Sequence, residues 1–163
     1  MHVLVAYGTK MGGTEEIAKR IAGILKAEHF SITVRSAKDM PHPEDFDAVV
    51  LGSAIYAMRW RREAIQLLKR LSRAGFTRPV WLFHSGPISD DEASDPQKFP
   101  SAVQKLAAGL DVRDRVTFGG RLTDDAKGFI ARSMVKQGRS GDWRDFDQIE
   151  LWAKEIAADL GRI

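Results

Sequence analysis

Val3-Leu4-Val5-Ala6-Tyr7-Gly8-Thr9-Lys10-Met11-Gly12-Gly13-Thr14-Glu15-Glu16-Ile17 joins an uninterrupted apolar run to the start of an amphipathic segment through a turn carrying glycines and threonines. An apolar run without polar alternation is the pattern of a strand buried on both faces, as interior strands of a parallel sheet are. From Thr14 to Ala27, the residues Ile17, Ile21, Ala22, Ile24 and Leu25 recur at helical spacing, and Glu15, Glu16, Lys19, Arg20 and Lys26 fill the other face. The stretch reads as strand, tight turn, helix. Gly12 and Gly13 let consecutive backbone N–H groups turn inward, Thr9 and Thr14 bring hydroxyls for direct hydrogen bonds, and the helix N-terminus adds partial positive charge. With Lys10 and Met11 completing it, the turn is a cradle for a phosphate. It is neither a Gly-x-Gly-x-x-Gly dinucleotide turn nor a Gly-x-x-x-x-Gly-Lys-Ser/Thr nucleotide loop, because the glycine spacing differs and no lysine stands immediately before Thr14. The competing reading is a plain helix cap served by Thr14 and Glu15.

Working outward, the alternation repeats. Phe30 to Val34 alternates like a strand nearer an edge, and Pro41 and Pro43 mark the loop after it. Ala48 to Leu51 is a fully apolar strand ending at Gly52. Arg61 to Ala74 carries Ala64, Leu67, Leu68 and Leu71 at helical spacing, with Gly75 behind it. Val80 to Phe83 is a fourth strand, with Trp81 expected in the core. Ser101 to Gly109 is a short helix, Arg115 to Gly119 a fifth strand, and the closing helix runs from about Arg144 to Leu160. Between them, residues 123–143 read as an insertion holding a short helix at roughly 128–137. Strands alternating with helices predict an α/β fold of one domain, an open parallel sheet covered on both faces by right-handed crossovers.

The bulk composition narrows the chemistry. The chain has 163 residues, enough for one core, and is 44% hydrophobic and 29% charged, as ordinary globular proteins are. It contains no cysteine, which removes disulfides, thiolate nucleophiles and iron–sulfur ligation, so redox work would need a borrowed cofactor. No window approaches the roughly 18 apolar residues of a membrane span, and the N-terminal run is too brief for a signal segment, so a cytoplasmic location is expected. A formal net charge of +3 is too small to predict nucleic acid as a partner. Arg59, Arg61, Arg62, Lys69, Arg70 and Arg73, opposed locally only by Glu63, read first as a solvated helix face. The remaining use for such a run is docking an acidic partner or peripheral contact with an anionic membrane, joined by Arg132, Lys136 and Arg139. Asp90, Asp91, Glu92 and Asp95 follow one another on a turn rather than converging, so no metal site is expected.

Thr9-Lys10-Met11-Gly12-Gly13-Thr14 resembles the hydroxyl-x-x-Gly-x-Thr loop that binds the phosphate of flavin mononucleotide (FMN) in flavodoxins, and the resemblance covers nearly the whole chain. Gly52-Ser53-Ala54-Ile55-Tyr56 and His84-Ser85-Gly86-Pro87 fall where flavodoxins place the two loops that flank the flavin ring. The resemblance implies a flavodoxin-like three-layer αβα sandwich with a five-stranded parallel sheet in order 2-1-3-4-5. FMN would lie at the switch point beside the first and third strands. It also implies that Tyr56 and Trp60 meet the ring, and that Ser85, Gly86 and Pro87 offer backbone groups to its pyrimidine edge. Core packing is the other reading of Trp60, and a structural hydrogen-bonding role that of His84. The closing segment, from Asp142-Trp143-Arg144-Asp145-Phe146-Asp147-Gln148-Ile149 into Trp152-Ala153-Lys154-Glu155-Ile156-Ala157, is similar to the menaquinone-dependent protoporphyrinogen dehydrogenase branch, an FMN-dependent oxidoreductase group of heme biosynthesis. That likeness implies oxidation of a flat organic substrate, with electrons passed to a quinone. A flavodoxin-type carrier served by a reductase, with no substrate chemistry, is the alternative, and a flavin-free interaction scaffold is a third.

Overall fold

The computed structural model describes residues 1–86, 98–122, 129–136, 138 and 141–163. The main sheet contains β1 (His2–Gly8), β2 (Ser31–Ser36), β3 (Ala48–Tyr56), β5 (Val80–Gly86) and β6 (Val112–Gly119), parallel throughout in the order β2-β1-β3-β5-β6. The expected order 2-1-3-4-5 is therefore present. A short β4 (Arg59–Trp60) folds back antiparallel on β3, pairing Ile55 with Trp60 and Tyr56 with Arg59. Its turn residues Ala57 and Met58 take φ of 47° and 58°, the left-handed pair of a tight hairpin.

Helix α1 (Gly13–Ala27) and α5 (Phe146–Leu160) cover one face of the sheet, while α2 (Arg62–Arg73) and α3 (Ser101–Ala107) cover the other. The period-2 geometry of the strands divides the apolar runs between the two layers. Val3, Val5, Ala48, Val50, Trp81 and Phe83 pack toward α1 and α5. Leu4, Ala6, Val49, Leu51, Val80 and Leu82 pack toward α2 and α3. Continuous apolar strands are what a sheet buried on both faces requires. Phe83, Phe118 and Trp152 lock the α5 side with ring centroids 5.7–6.0 Å apart. The Trp152 indole N–H donates to Asp114 at 2.7 Å.

Several strand ends differ from the sequence reading: β2 runs on to Ser36 past Val34, and β6 begins at Val112 ahead of Arg115. The third and fourth strands were expected to stop at Gly52 and Phe83, yet β3 continues to Tyr56 and β5 to Gly86. Gly52 is a packing glycine, not a strand terminator: the Phe83 ring occupies the space its Cβ would need. The final helix begins at Phe146 rather than Arg144, because the Asp145 carboxylate caps it by accepting from the N–H groups of Asp147 and Gln148. Past β6 the chain forms β7 (Arg121–Leu122), α4 (Phe129–Lys136) and β8 (Gly141–Asp142), with β7 and β8 paired antiparallel. Gly119 and Gly120 permit this extension to lie close. A Cβ on Gly119 would strike the Trp143 carbonyl, and one on Gly120 the backbone of Gly86.

Candidate functional site

At the carboxyl ends of β1 and β3, Gly8 stands beside Ser53, and α1 and α2 leave toward opposite faces. Such a switch point opens a crevice. The Gly8–Gly13 turn lines it. Gly12 is the residue preceding α1 and holds φ 85°, a left-handed conformation that favours glycine. No side chain caps α1, nor α2 or α3, so the competing reading of Thr14 and Glu15 as a plain helix cap is not realised. Thr14 lies inside the helix, buried, with its hydroxyl 2.9 Å from that of Ser85 on β5. Thr9 folds back to accept the Gly12 N–H at 3.0 Å, which fixes the turn. Each hydroxyl group thus has a protein partner. The Thr9 hydrogen stays available, as does one hydrogen of the Thr14–Ser85 pair.

Thr9, Lys10, Met11, Gly13, Thr14, Ala54, Tyr56, Ser85, Gly120 and Arg121 line one narrow cleft. The structure therefore brings together three segments that the sequence singled out: the turn, the end of β3 and the end of β5. Tyr56 is half-buried; burial raises its phenol above the usual value, and Lys10 Nζ stands 5.7 Å from its ring centroid. The family model of the flavodoxin domain matches this chain over residues 4–147, spanning β1 to the start of α5. The chain belongs to the flavodoxin family. An archaeal flavodoxin shares 15% identity and a TM-score of 0.66, with 99% of each chain covered. A Pseudomonas aeruginosa flavodoxin carrying a C101S mutation shares 17% identity and a TM-score of 0.65, with 97% of each covered. Rubredoxin oxygen:oxidoreductase from Desulfovibrio gigas matches 99% of this chain with 36% of its own length, at 15% identity and TM-score 0.65. At such identities the likeness is one of fold.

Within this flavodoxin architecture several residues read from the sequence sit away from the cleft. Trp60 is 5% exposed and packs in the α2-side core, because β4 pairing turns it inward from Ile55. The reading of Trp60 as a ring neighbour thus gives way to the core reading. Its indole N–H donates to His84 Nδ1 at 3.2 Å. His84 is wholly buried, has Nε2 2.8 Å from the Thr117 hydroxyl and stacks on Phe99 at 4.1 Å between centroids, a structural placement. Ile55 is also in that core. Ser53 is buried, accepting the Arg61 N–H at 2.8 Å and donating to the Ala54 carbonyl at 2.8 Å, so it orients the entry to α2. Gly86 packs against Gly120 beside the cleft. Pro87, the acidic run Asp90, Asp91, Glu92 and Asp95, and Arg139 lie outside the described residues.

Gly120 and Arg121 were not picked out from the sequence. Arg121 donates to Glu16 at 3.0 Å and to the Met11 carbonyl at 3.2 Å. Glu16 accepts from Arg144 at 2.6 Å through its other oxygen, and Arg144 donates to both oxygens of Asp142, at 2.8 and 2.7 Å. Hydrogen bonds from Arg144 hold both carboxyls below their usual values and push the guanidinium's own pKa up. Only the Gly119-Gly120 pair at a strand end hinted at this corner. In the basic run, Arg61 pairs with Glu63 and Arg70 donates to the Met40 carbonyl, whereas Arg59, Arg62, Lys69 and Arg73 are exposed. Among the described residues no helix is long and apolar enough to cross a membrane.

Proposed function

We propose that this chain binds FMN at the switch-point cleft and transfers electrons through it. The observation that carries the reading is the turn before α1: Gly12 at φ 85° precedes three first-turn N–H groups with no side-chain acceptor, and Thr9, Lys10, Met11, Gly13 and Thr14 line the cleft they face. A phosphate monoester fits that donor set, so Thr9 to Thr14 would hold it by backbone N–H groups and the spare hydroxyl hydrogens. Ser85 would act through Thr14. Ser53, Ala54, Ile55 and Tyr56 would form one wall of the ring site and Ser85 and Gly86 the other, with Tyr56 and Ala54 as contact surfaces and Ser53 and Ile55 as supports. Bound FMN supplies reversible electron and hydride transfer, which no side chain of a cysteine-free chain offers. The test is the visible spectrum of fresh protein followed by titration with FMN. A yellow preparation, or saturable quenching of FMN fluorescence, supports the reading; colourless protein that leaves FMN fluorescence unquenched leaves a flavodoxin-like scaffold alone.

The flavodoxin-domain match over residues 4–147 supports an electron carrier, exchanging with a reductase or other redox partner. The similarity of the segment from Asp142 to Ala157 to the protoporphyrinogen dehydrogenase branch supports a second reading, oxidation of a flat substrate with a quinone as acceptor; Asp142 and Arg144 lie at the α1 start through Glu16. Anaerobic mixing of the FMN-loaded protein with protoporphyrinogen separates the two. Bleaching of the flavin band supports the dehydrogenase reading, and an unchanged band with rapid exchange to a flavin reductase supports the carrier.

A further inference from the structure

Arg121 enters the cleft from the far end of the sheet, 105 residues from the α1 residue it pairs with. Its Nη2 lies at the mouth of the turn, where it holds the Met11 carbonyl and stands 3.6 Å from the position a Cβ on Gly12 would take. A guanidinium has five N–H donors, and the bonds to Glu16 and Met11 occupy two of them. The others belong to a side chain that lines the same cleft as Thr9, Lys10, Gly13 and Thr14. We infer that Arg121 is the phosphate-end specificity residue of this cleft, pairing its guanidinium with a dianionic phosphomonoester that the turn N–H groups cradle from the other side.

Three features set this apart from a staple that merely closes the turn. The charge around the mouth is not balanced: carboxylates Glu16 and Asp142 face cations Lys10, Arg121 and Arg144, leaving one positive charge before any ligand arrives. The guanidinium is also held from behind. Arg144, whose side chain is 5% exposed, grips the second oxygen of Glu16 and both oxygens of Asp142, so Glu16 presents Arg121 rather than swinging with it. Finally, Gly120 allows β7 to press on Gly86, and this contact carries Arg121 over the turn. Arg144 and Glu16 are positioning residues in this arrangement; Arg121 is the one that meets the ligand. A planar fork matches phosphate oxygens two at a time, which a lysine cannot reproduce.

The inference rests on the FMN reading and predicts its selectivity. A ligand with the same ring and no phosphate, riboflavin, gains nothing from Arg121. Dissociation constants for FMN and riboflavin, measured by fluorescence quenching of wild type, R121A and R121K, test it. R121A should weaken FMN by about 10- to 100-fold, the worth of a hydrogen bond to a charged group, and leave riboflavin unchanged. R121K should recover part of the loss, and the fall of FMN affinity with salt should be shallower in R121A than in wild type. A variant that loses FMN and riboflavin in equal proportion shows a merely structural arginine and overturns the inference, as does one that binds both like wild type. Wild-type protein that binds neither ligand overturns the FMN reading itself, a different outcome from a wild type that binds FMN with no dependence on Arg121.

Discussion

Replacing Gly12 with alanine isolates the backbone conformation on which the cleft depends. Gly12 sits at φ 85°, ψ −9°, and an added Cβ would meet nothing nearer than Arg121 Nη2 at 3.6 Å, an ordinary contact. The cost is therefore conformational, not steric. An L-residue in the left-handed region costs about 1–2 kcal/mol, which outweighs the ~0.4–1 kcal/mol that alanine gains by restricting the unfolded chain where its native geometry is relaxed. For a domain of this size each kcal/mol moves Tm by roughly 2–4 °C, so the net cost of about 1 kcal/mol should lower the G12A melt by about 2–4 °C. Part of the strain can instead be relieved by rotating the Gly12–Gly13 peptide, which would turn first-turn N–H groups out of the cleft and weaken FMN binding. Gly23 is the internal control: it lies in α1 at a negative φ, with nothing within 4 Å of its Cβ position. G23A should raise Tm by about 1–4 °C, since glycine in a helix interior costs roughly 0.5–1 kcal/mol relative to alanine. Circular dichroism melts and FMN titrations of both variants, with G12N as a residue that tolerates the left-handed region, complete the comparison. G12A that melts and binds like wild type would refute the left-handed turn.

Two further perturbations report on the corner beyond the turn. G120A should destabilise the fold by several kcal/mol at most and weaken FMN binding, because its Cβ meets the Gly86 backbone, which cannot rotate away as a side chain could; a wild-type melting curve would show that β7 has room to retreat. Arg144 holds the carboxyls of Glu16 and Asp142 below their usual values, so the stabilisation is complete above the ordinary carboxylate range, about pH 4–4.5, and is lost as pH falls through the depressed values. Both carboxylates are nearly half exposed, at 47% and 46%, so screening limits each to below about 1 kcal/mol. Melting curves from about pH 6 to pH 3, roughly the span of carboxylate titration, should fall more steeply in wild type than in R144A, and more steeply at low salt. Equal slopes in the two proteins would count against the pairing.

The architecture was legible because its signals are local. Uninterrupted apolar runs at Val3–Tyr7, Ala48–Leu51 and Val80–Phe83 could be satisfied only by strands covered on both faces, and the helical spacing between them supplied the covers. The strand ends were less legible, because Gly52 looks like punctuation until the Phe83 ring is seen to need its space. Trp60 shows the same limit. Its place after an apolar strand suggested the sheet's open edge, and only the two-residue hairpin at Ala57–Met58 turns it inward to His84.

The sequence by itself determined the succession of strands and helices and the turn that opens the first helix, since hydrophobic period and glycine placement act over a few residues, whereas the strand order and its switch point came with the family resemblance. Tertiary structure decided which side chains share that corner: Thr14 with Ser85, 71 residues apart, and Glu16 with Arg121 and Arg144, 105 and 128 residues apart. Such pairs leave no local pattern, because a hydrogen bond depends on where folded backbones converge and not on the distance along the chain between its partners.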